Sequence, residues 1–262
     1  MDSPKRVAIQ AARKAGIVLK NRLGRKRTVG YKGAVNLVTE MDILSEKIIV
    51  GEIQKRFPDH AVLAEEGAPV EKASRFRWII DPLDGTTNYA HGFPIFSVSI
   101  ALAEDEEVIL GVVYDPTRDE LFTAEKRKGA WLNGRKIQVS SESNLSRSLL
   151  ATGFPYDLRE SKINNFDHFH NFAIRAQAVR RAGSAALDLC YVAAGRFDGF
   201  WEMKLAPWDI AAGSLMVAEA GGMVTNFLGK PLALSEKHLL ASNGKIHLAM
   251  LRIVRLGKFL RS

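Results

Sequence analysis

The sequence predicts a mixed α/β fold of α+β character, and three observations carry that prediction. Two short apolar runs, Ala61-Val62-Leu63-Ala64 and Trp78-Ile79-Ile80, each end in an acid with a glycine turn close behind, the pattern of buried strands that deliver a carboxylate at their carboxyl ends. From Phe96 to Val139, apolar residues alternate with smaller ones between turn signals, which reads as an antiparallel meander. Beyond a soft boundary near residue 140 the pattern changes to alternating strands and helices, giving an N-terminal half 1–140 and a C-terminal half 141–262, tightly packed together.

In order, Ser3-Pro4 supplies an N-cap and a first-turn proline for a helix whose face carries Val7, Ala11, Ala15, Val18 and Arg22; Gly24 and Gly30 break it. Thr39 and Asp42 stand in capping-box spacing before a second helix with Ile49, Ile53 and Phe57 as its buried stripe, ended by Pro58. On spacing alone Asp42 is a helix N-terminal acid. Phe96, Val98, Ile100 and Leu102 mark a strand, Val108 to Tyr114 and Glu120 to Ala124 flank a turn at Asp115-Pro116, and Asn133-Gly134 closes a hairpin between Ala130–Leu132 and Lys136–Val139. A helix carries Phe166, Phe169 and Phe172; its His168 and His170 lie two apart and cannot share a face to grip a metal. A strand from Val179 meets Gly183-Ser184 at the start of the small-residue helix Ala185 to Ala194. That start is either an anion pocket or an ordinary capped helix. Phe197 to Met203 is a strand, Asp209 sits at the start of a helix from Ile210 to Ala220, Met223 to Phe227 is a last strand, and Ile246 to Leu260 is a closing basic helix.

Composition bounds the function. With 262 residues, 47% of them hydrophobic and 25% charged, the chain can bury a large core. It has no apolar run of the roughly 18 residues a membrane span needs and no signal-peptide pattern at Met1 to Arg6, so a cytoplasmic location is expected. Cys190 is the single cysteine, which excludes an internal disulfide and leaves little material for a thiolate metal site. The net charge of +8 admits RNA, a membrane surface or a phosphorylated substrate. Its clusters, at Lys20 to Arg27, Lys126 to Lys128 and Arg252 to Arg261, lack the interleaved aromatics of a nucleic-acid platform, which makes solvated surface the favoured reading.

The chemistry concentrates in Asp81-Pro82-Leu83-Asp84-Gly85-Thr86-Thr87-Asn88. Pro82 and Gly85 are expected to turn the chain sharply and return Asp84 towards Asp81. Two carboxylates held that close repel, and a fold tolerates this when a cation lies between them. Oxygen ligands favour a hard ion such as Mg²⁺. The bland alternative is a solvated turn capped by Asp81.

With these residues laid out, the chain resembles the inositol monophosphatase family of magnesium-dependent, lithium-inhibited phosphatases, and is similar to bacterial inositol-1-monophosphatases in particular. The resemblance rests on Val62 to Gly67, Trp78 to Asn88, and Pro207-Trp208-Asp209 followed by Ala218 to Gly222; Lys32 to Asp42 and Arg180 to Trp201 also fit. It implies a layered αβαβα sandwich of the inositol monophosphatase and fructose-1,6-bisphosphatase type, a homodimer, and two to three Mg²⁺ per subunit with Mn²⁺ as a substitute.

By the same resemblance Glu65, Asp81 and the Leu83 carbonyl are ligands of a first metal, Asp81, Asp84 and Asp209 of a second, and Glu65 of a looser third. Gly85 and Thr86 match the phosphate-holding turn, beside Leu83, Asp84 and Asp209. Arg180, Glu202 and the Gly183-Ser184-Ala185 helix start match positions that receive sugar hydroxyls. Asp42 matches the acid that hydrogen-bonds Thr86, and Glu65 with Thr86 orients and deprotonates the attacking water. Asn36 departs from the family pattern, where several members carry Asp. The implied activity is hydrolysis of myo-inositol monophosphate. Fructose 1,6-bisphosphate, a 3′-phosphonucleotide and NADP are alternative substrates, and RNA or the transcription machinery an alternative partner.

Overall fold

The computed structural model describes residues 3–24, 29–31 and 37–256. Lys32 to Asn36 and the basic positions Arg25 to Arg27, Lys258 and Arg261 lie outside the described residues, Asn36 and its departure from the family pattern among them. Helix α1 (Pro4–Arg22) leads to a ribbon of β1 (Val29–Tyr31) and β2 (Leu37–Thr39), then α2 (Glu40–Gln54). A seven-stranded sheet follows, with β3 (Ala61–Ala64) and β4 (Phe76–Asp84) separated by the short α3 (Thr86–Ala90) from the rest. These are β5 (Ser97–Glu104), β6 (Glu107–Asp115), β7 (Glu120–Glu125), β8 (Gly129–Leu132) and β9 (Arg135–Lys136). A five-stranded sheet is built from β10 (Leu149–Thr152), β11 (Ala178–Arg180), β12 (Gly199–Met203), β13 (Met223–Thr225) and β14 (His238–Ser242). Helices α4 (Phe166–Ala173), α5 (Ala185–Ala193), α6 (Pro207–Glu219) and α7 (His247–Arg255) are interleaved with its strands.

Side-chain size sorts these elements into layers. Along β5, Val98, Ile100 and Leu102 point into a core shared with α1 and α2, while Ala101 and Ala103 point the other way, towards α5 and α6. Small residues on that second face let α6 approach closely. A Cβ at Gly111 of β6 would stand 2.8 Å from Ala212 O, so a larger residue there would push the helix off the sheet. On β12, Phe200 joins the α5 and α6 core, and Trp201 turns to the opposite face with α7 residues Met250 and Leu251. The order is α1 and α2, seven-stranded sheet, α5 and α6, five-stranded sheet, α4 and α7, which is the expected αβαβα layering. The central core runs from Ile79 to Ala241 and so crosses position 140.

The capping box is present as predicted: Thr39 N and Oγ1 both donate to Asp42 Oδ2, at 2.7 and 2.6 Å, and Met41 N donates to Thr39 Oγ1. The Asn133-Gly134 turn has both residues at positive φ, 48° and 75°, the geometry that a two-residue hairpin requires. Three expectations need correction. α2 ends at Gln54, so Phe57 lies past it in the turn before Pro58 and is not part of its buried stripe. β9 ends at Lys136 rather than Val139, because Val139 N donates instead to Ala220 O beyond α6. The strand at Met223 stops at Thr225 and is not the last. β14 follows it, and its apolar run of Leu239-Leu240-Ala241 is too short for periodicity to reveal. Among the described residues no helix is long and apolar enough to cross a membrane.

Candidate active site

β3 and β4 run parallel with Ala64 opposite Ile80, so the next residues, Glu65 and Asp81, leave the sheet side by side. Glu65 N donates to Ile80 O at 3.2 Å and extends the ladder one step. Asp81 and Asp84 are an odd number of residues apart, which a regular strand would send to opposite faces. Against β5, however, Asp81 pairs with Ser99 and Asp84 with Ser97, so two residues of β4 lie where β5 has one. This β-bulge at Pro82-Leu83 reverses the alternation and brings both carboxylates to one side. The expected sharp turn at Pro82 is therefore a bulge in a strand that continues to Asp84. It is pinned by Ser45 Oγ donating to Pro82 O at 2.6 Å and Leu83 N donating to Asp81 Oδ1 at 3.0 Å.

Gly85 then turns the chain at φ 96°, a conformation costly for any side chain, and a Cβ there would stand 3.0 Å from Ile95 O and 3.1 Å from Gly183 O. Thr86 Oγ1 has one proton and two acceptors in reach, Asp42 Oδ1 at 2.9 Å and Leu83 O at 3.0 Å. Asp42 thus caps α2 with one oxygen and holds Thr86 with the other. The C-terminal half contributes Asp209, in the first turn of α6 behind Pro207, with Oδ2 accepting from Ala206 N at 2.7 Å.

Asp84 reaches across to α5. Ser184 Oγ donates to its Oδ2, Ala186 N donates to the same oxygen at 2.9 Å, and Ala185 N donates to Oδ1 at 3.2 Å. The helix start is therefore capped and also anion-bound, and the anion is the protein's own carboxylate.

Burial pushes the Asp81 carboxyl well above the usual range, and repulsion from Glu65, Asp84 and Asp209 raises it further. Asp84 is raised by burial against its hydrogen bonds from Ser184 and α5, and Asp42 by burial against those from Thr39 and Thr86. Tyr156 is 54% exposed as a residue, yet its phenol faces the cleft and is pushed up by desolvation there and then by Asp84, Glu65, Asp209 and Asp81. Asp81 feels the other three acids and Tyr156 all four, which places the four in one neighbourhood.

The cleft above them is lined by Asp84, Gly85, Gly183, Ser184, Ala185, Glu202 and Asp209, all of them sequence-predicted. Asp42, Asp81, Leu83 and Thr86 are buried, Glu65 is half-buried, and none of the five lines it. Glu202 reaches the cleft from β12, its carboxyl pushed up to about 8 by burial and by Asp209 and Asp84, with Arg181 opposing. Arg180 is not brought there: it is exposed at the end of β11, and its guanidinium donates to Val179 O. Arg181 lines the cleft instead, because the chain leaves the sheet after Arg180 and strand alternation no longer applies.

Sequence reasoning also missed Tyr156 and Asp188. For Tyr156 no local signal exists. Asp188 had one, a lone acid in a helix whose every residue is buried.

The donor set, all oxygen and mutually repelling, fits a hard divalent cation. Among the described residues no three His, Cys, Asp or Glu side chains are drawn together tightly enough, as placed, to enclose an ion. Asp84 spends its oxygens on α5, and Asp209 spends one on Ala206.

Comparison with known proteins adds a family. The model of the inositol monophosphatase family matches residues 1–256. The inositol-1-monophosphatase of a Synechocystis species is 48% identical over 243 residues, covering 92% of this chain and 85% of that one. The Nus factor SuhB of Pseudomonas aeruginosa is 43% identical over 258 residues, covering 95% and 94%. The solved inositol monophosphatase of an Anabaena (Nostoc) species superposes with a TM-score of 0.88 at 44% identity, covering 96% and 94%.

Proposed function

Because this chain belongs to the inositol monophosphatase family, we propose that it is a Mg²⁺-dependent phosphatase that hydrolyses a small phosphorylated polyol or sugar, myo-inositol monophosphate first among them. The observation that carries this reading is geometric: Glu65 and Asp81 leave adjacent parallel strands side by side, the bulge in β4 turns Asp84 to the side of Asp81, and Asp84 and Asp209 line the cleft above. Glu65, Asp81, Asp84, Asp209 and the Leu83 carbonyl would hold the Mg²⁺, which when bound neutralises a phosphate dianion and activates water.

The chain's own residues supply the rest. Thr86 Oγ1 passes its hydrogen bond to Asp42 Oδ1, which leaves its lone pairs to accept from and orient the attacking water. Glu65 takes that water's proton as its oxygen bonds to phosphorus and the ester oxygen leaves with the bonding pair. Gly85, with no side chain, keeps the backbone beside Asp84 open to phosphate. Glu202 and Arg181 face the leaving group, where a carboxyl and a guanidinium can engage hydroxyls. No serine, cysteine or histidine nucleophile enters the scheme. The working unit is read as a cytoplasmic homodimer.

The test is phosphate release with Mg²⁺ from a panel holding inositol monophosphate, fructose 1,6-bisphosphate, a 3′-phosphonucleotide and NADP. Fastest turnover on inositol monophosphate supports the reading; no release from any member sinks it.

A second reading, binding of RNA or the transcription machinery with phosphatase activity retained, is favoured by the net charge of +8 and by the name Nus factor carried by several relatives. Filter retention of RNA across a salt series tests it, because phosphate contacts weaken steeply with salt.

A further inference from the structure

Asp188 is the acid that the scheme above leaves unused. It lies in the middle of α5, whose nine residues from Ala185 to Ala193 are all buried, and it is itself only 1% exposed. It nevertheless lines the cleft, with Arg181, Ser184 and Glu202. Its Oδ1 is buried without a hydrogen-bond partner in the protein. A buried polar atom left unpaired costs on the order of 1–3 kcal/mol, so its retention calls for a partner that the protein itself does not provide.

The character of that partner follows from the surroundings. Burial raises the Asp188 carboxyl first, and repulsion from Glu202 and then Asp84 raises it further, against Arg181. Asp188 shares the cleft wall with Glu202 and Arg181, the two residues assigned to the leaving group. The leaving group of the proposed substrate is a polyol, and hydroxyls are the groups it brings to this end of the cleft. A neutral hydroxyl, donating to one oxygen at little desolvation cost, suits the place.

We propose that Asp188 Oδ1 accepts a hydrogen bond from a hydroxyl of the polyol leaving group, a second one beyond that assigned to Glu202, and thereby sets which phosphorylated polyols fit. This rests on the phosphatase reading above and adds to it a specificity-determining residue.

The experiment measures kcat/KM with Mg²⁺ for the wild type, Asp188→Ala and Asp188→Asn. The substrates are inositol 1-phosphate, its analogues deoxygenated at single ring positions, and p-nitrophenyl phosphate. Asp188→Ala is expected to lose about tenfold or more on inositol 1-phosphate and to stay within about twofold on p-nitrophenyl phosphate, which carries no hydroxyl. Asp188→Asn, which keeps an acceptor oxygen, is expected to recover most of the loss. One deoxy analogue should cost the wild type a similar factor and cost Asp188→Ala nothing further, a coupling that a merely structural role would not produce. Urea midpoints of both variants establish folding; if Asp188→Ala does not fold, Asp188→Ser, whose oxygen falls short of the site, takes its place.

Equal losses on both substrates, or losses that add across every analogue, overturn the inference while the phosphatase reading stands. A wild type active on p-nitrophenyl phosphate alone overturns the inositol assignment itself, and this inference with it.

Discussion

Ser184 Oγ donates a 2.5 Å hydrogen bond to Asp84 Oδ2, although the two residues are 100 positions apart. Ser184 also accepts from Leu187 N at 3.4 Å as the N-cap of α5, so one hydroxyl ties the central acidic block to the C-terminal half of the chain. Asp84 completes the arrangement by taking the N–H groups of Ala185 and Ala186.

Ser184→Ala therefore removes a cap and a bond to a charged group together. A loss of roughly 1–3 kcal/mol is expected in chelator-treated protein, larger than an isolated cap is worth. Urea denaturation measures it. An unchanged midpoint would show that Asp84 holds α5 without the hydroxyl.

Asp81→Asn is expected to cut turnover at least ~100-fold and leave the fold intact. With its pKa raised, Asp81 keeps a proton in the native state that the unfolded chain releases near the usual value of 3.8. Metal-free stability accordingly falls as pH rises above that value, and the Asn variant escapes the loss. At pH 7 without metal the variant should melt no lower than the wild type, while Mg²⁺ should raise the melting temperature of the wild type alone. Turnover at a tenth of wild type or more would remove Asp81 from the centre of the site.

Glu202 makes a prediction with a defined window. Its pKa rises from 4.5 to about 8 on folding, so below 4.5 it contributes nothing to pH dependence, and from 4.5 to about 8 the unfolded chain loses a proton that the native chain keeps. Stability contributed through this group declines across that interval as pH rises, and Glu202→Gln should flatten that part of the curve measured in chelator. The same variant should lose about tenfold in kcat/KM on inositol monophosphate and little on p-nitrophenyl phosphate. Equal losses on the two substrates would place Glu202 among the metal-holding acids.

Lithium should inhibit at millimolar levels, and excess Mg²⁺ should inhibit as well, an expectation taken from the family resemblance. Titration of LiCl at saturating substrate checks it. A flat response would move the chain towards lithium-insensitive phosphatases.

The sequence by itself determined what depends on neighbours a few positions away. The Thr39 and Asp42 capping box, the Asn133-Gly134 hairpin, the alternation along Val98, Ile100 and Leu102, and acids at the ends of β3 and β4 all follow from local sterics, hydrogen bonding and side-chain size. Their motifs also carried the family. Tertiary structure decided how distant pieces meet. Whether Asp81 and Asp84 share a side depended on one extra residue in β4 relative to β5, a matter of register between strands. Whether the α5 start was open or filled depended on a carboxylate a hundred residues upstream, and which arginine entered the cleft depended on where β11 ends. β14 escaped notice because a three-residue apolar run becomes a strand only when β12 and β13 offer their backbone groups on either side. Local propensity is fixed by adjacent residues, whereas register, convergence and the raised pKa of Asp81 arise only when packing removes water from between segments far apart in the chain.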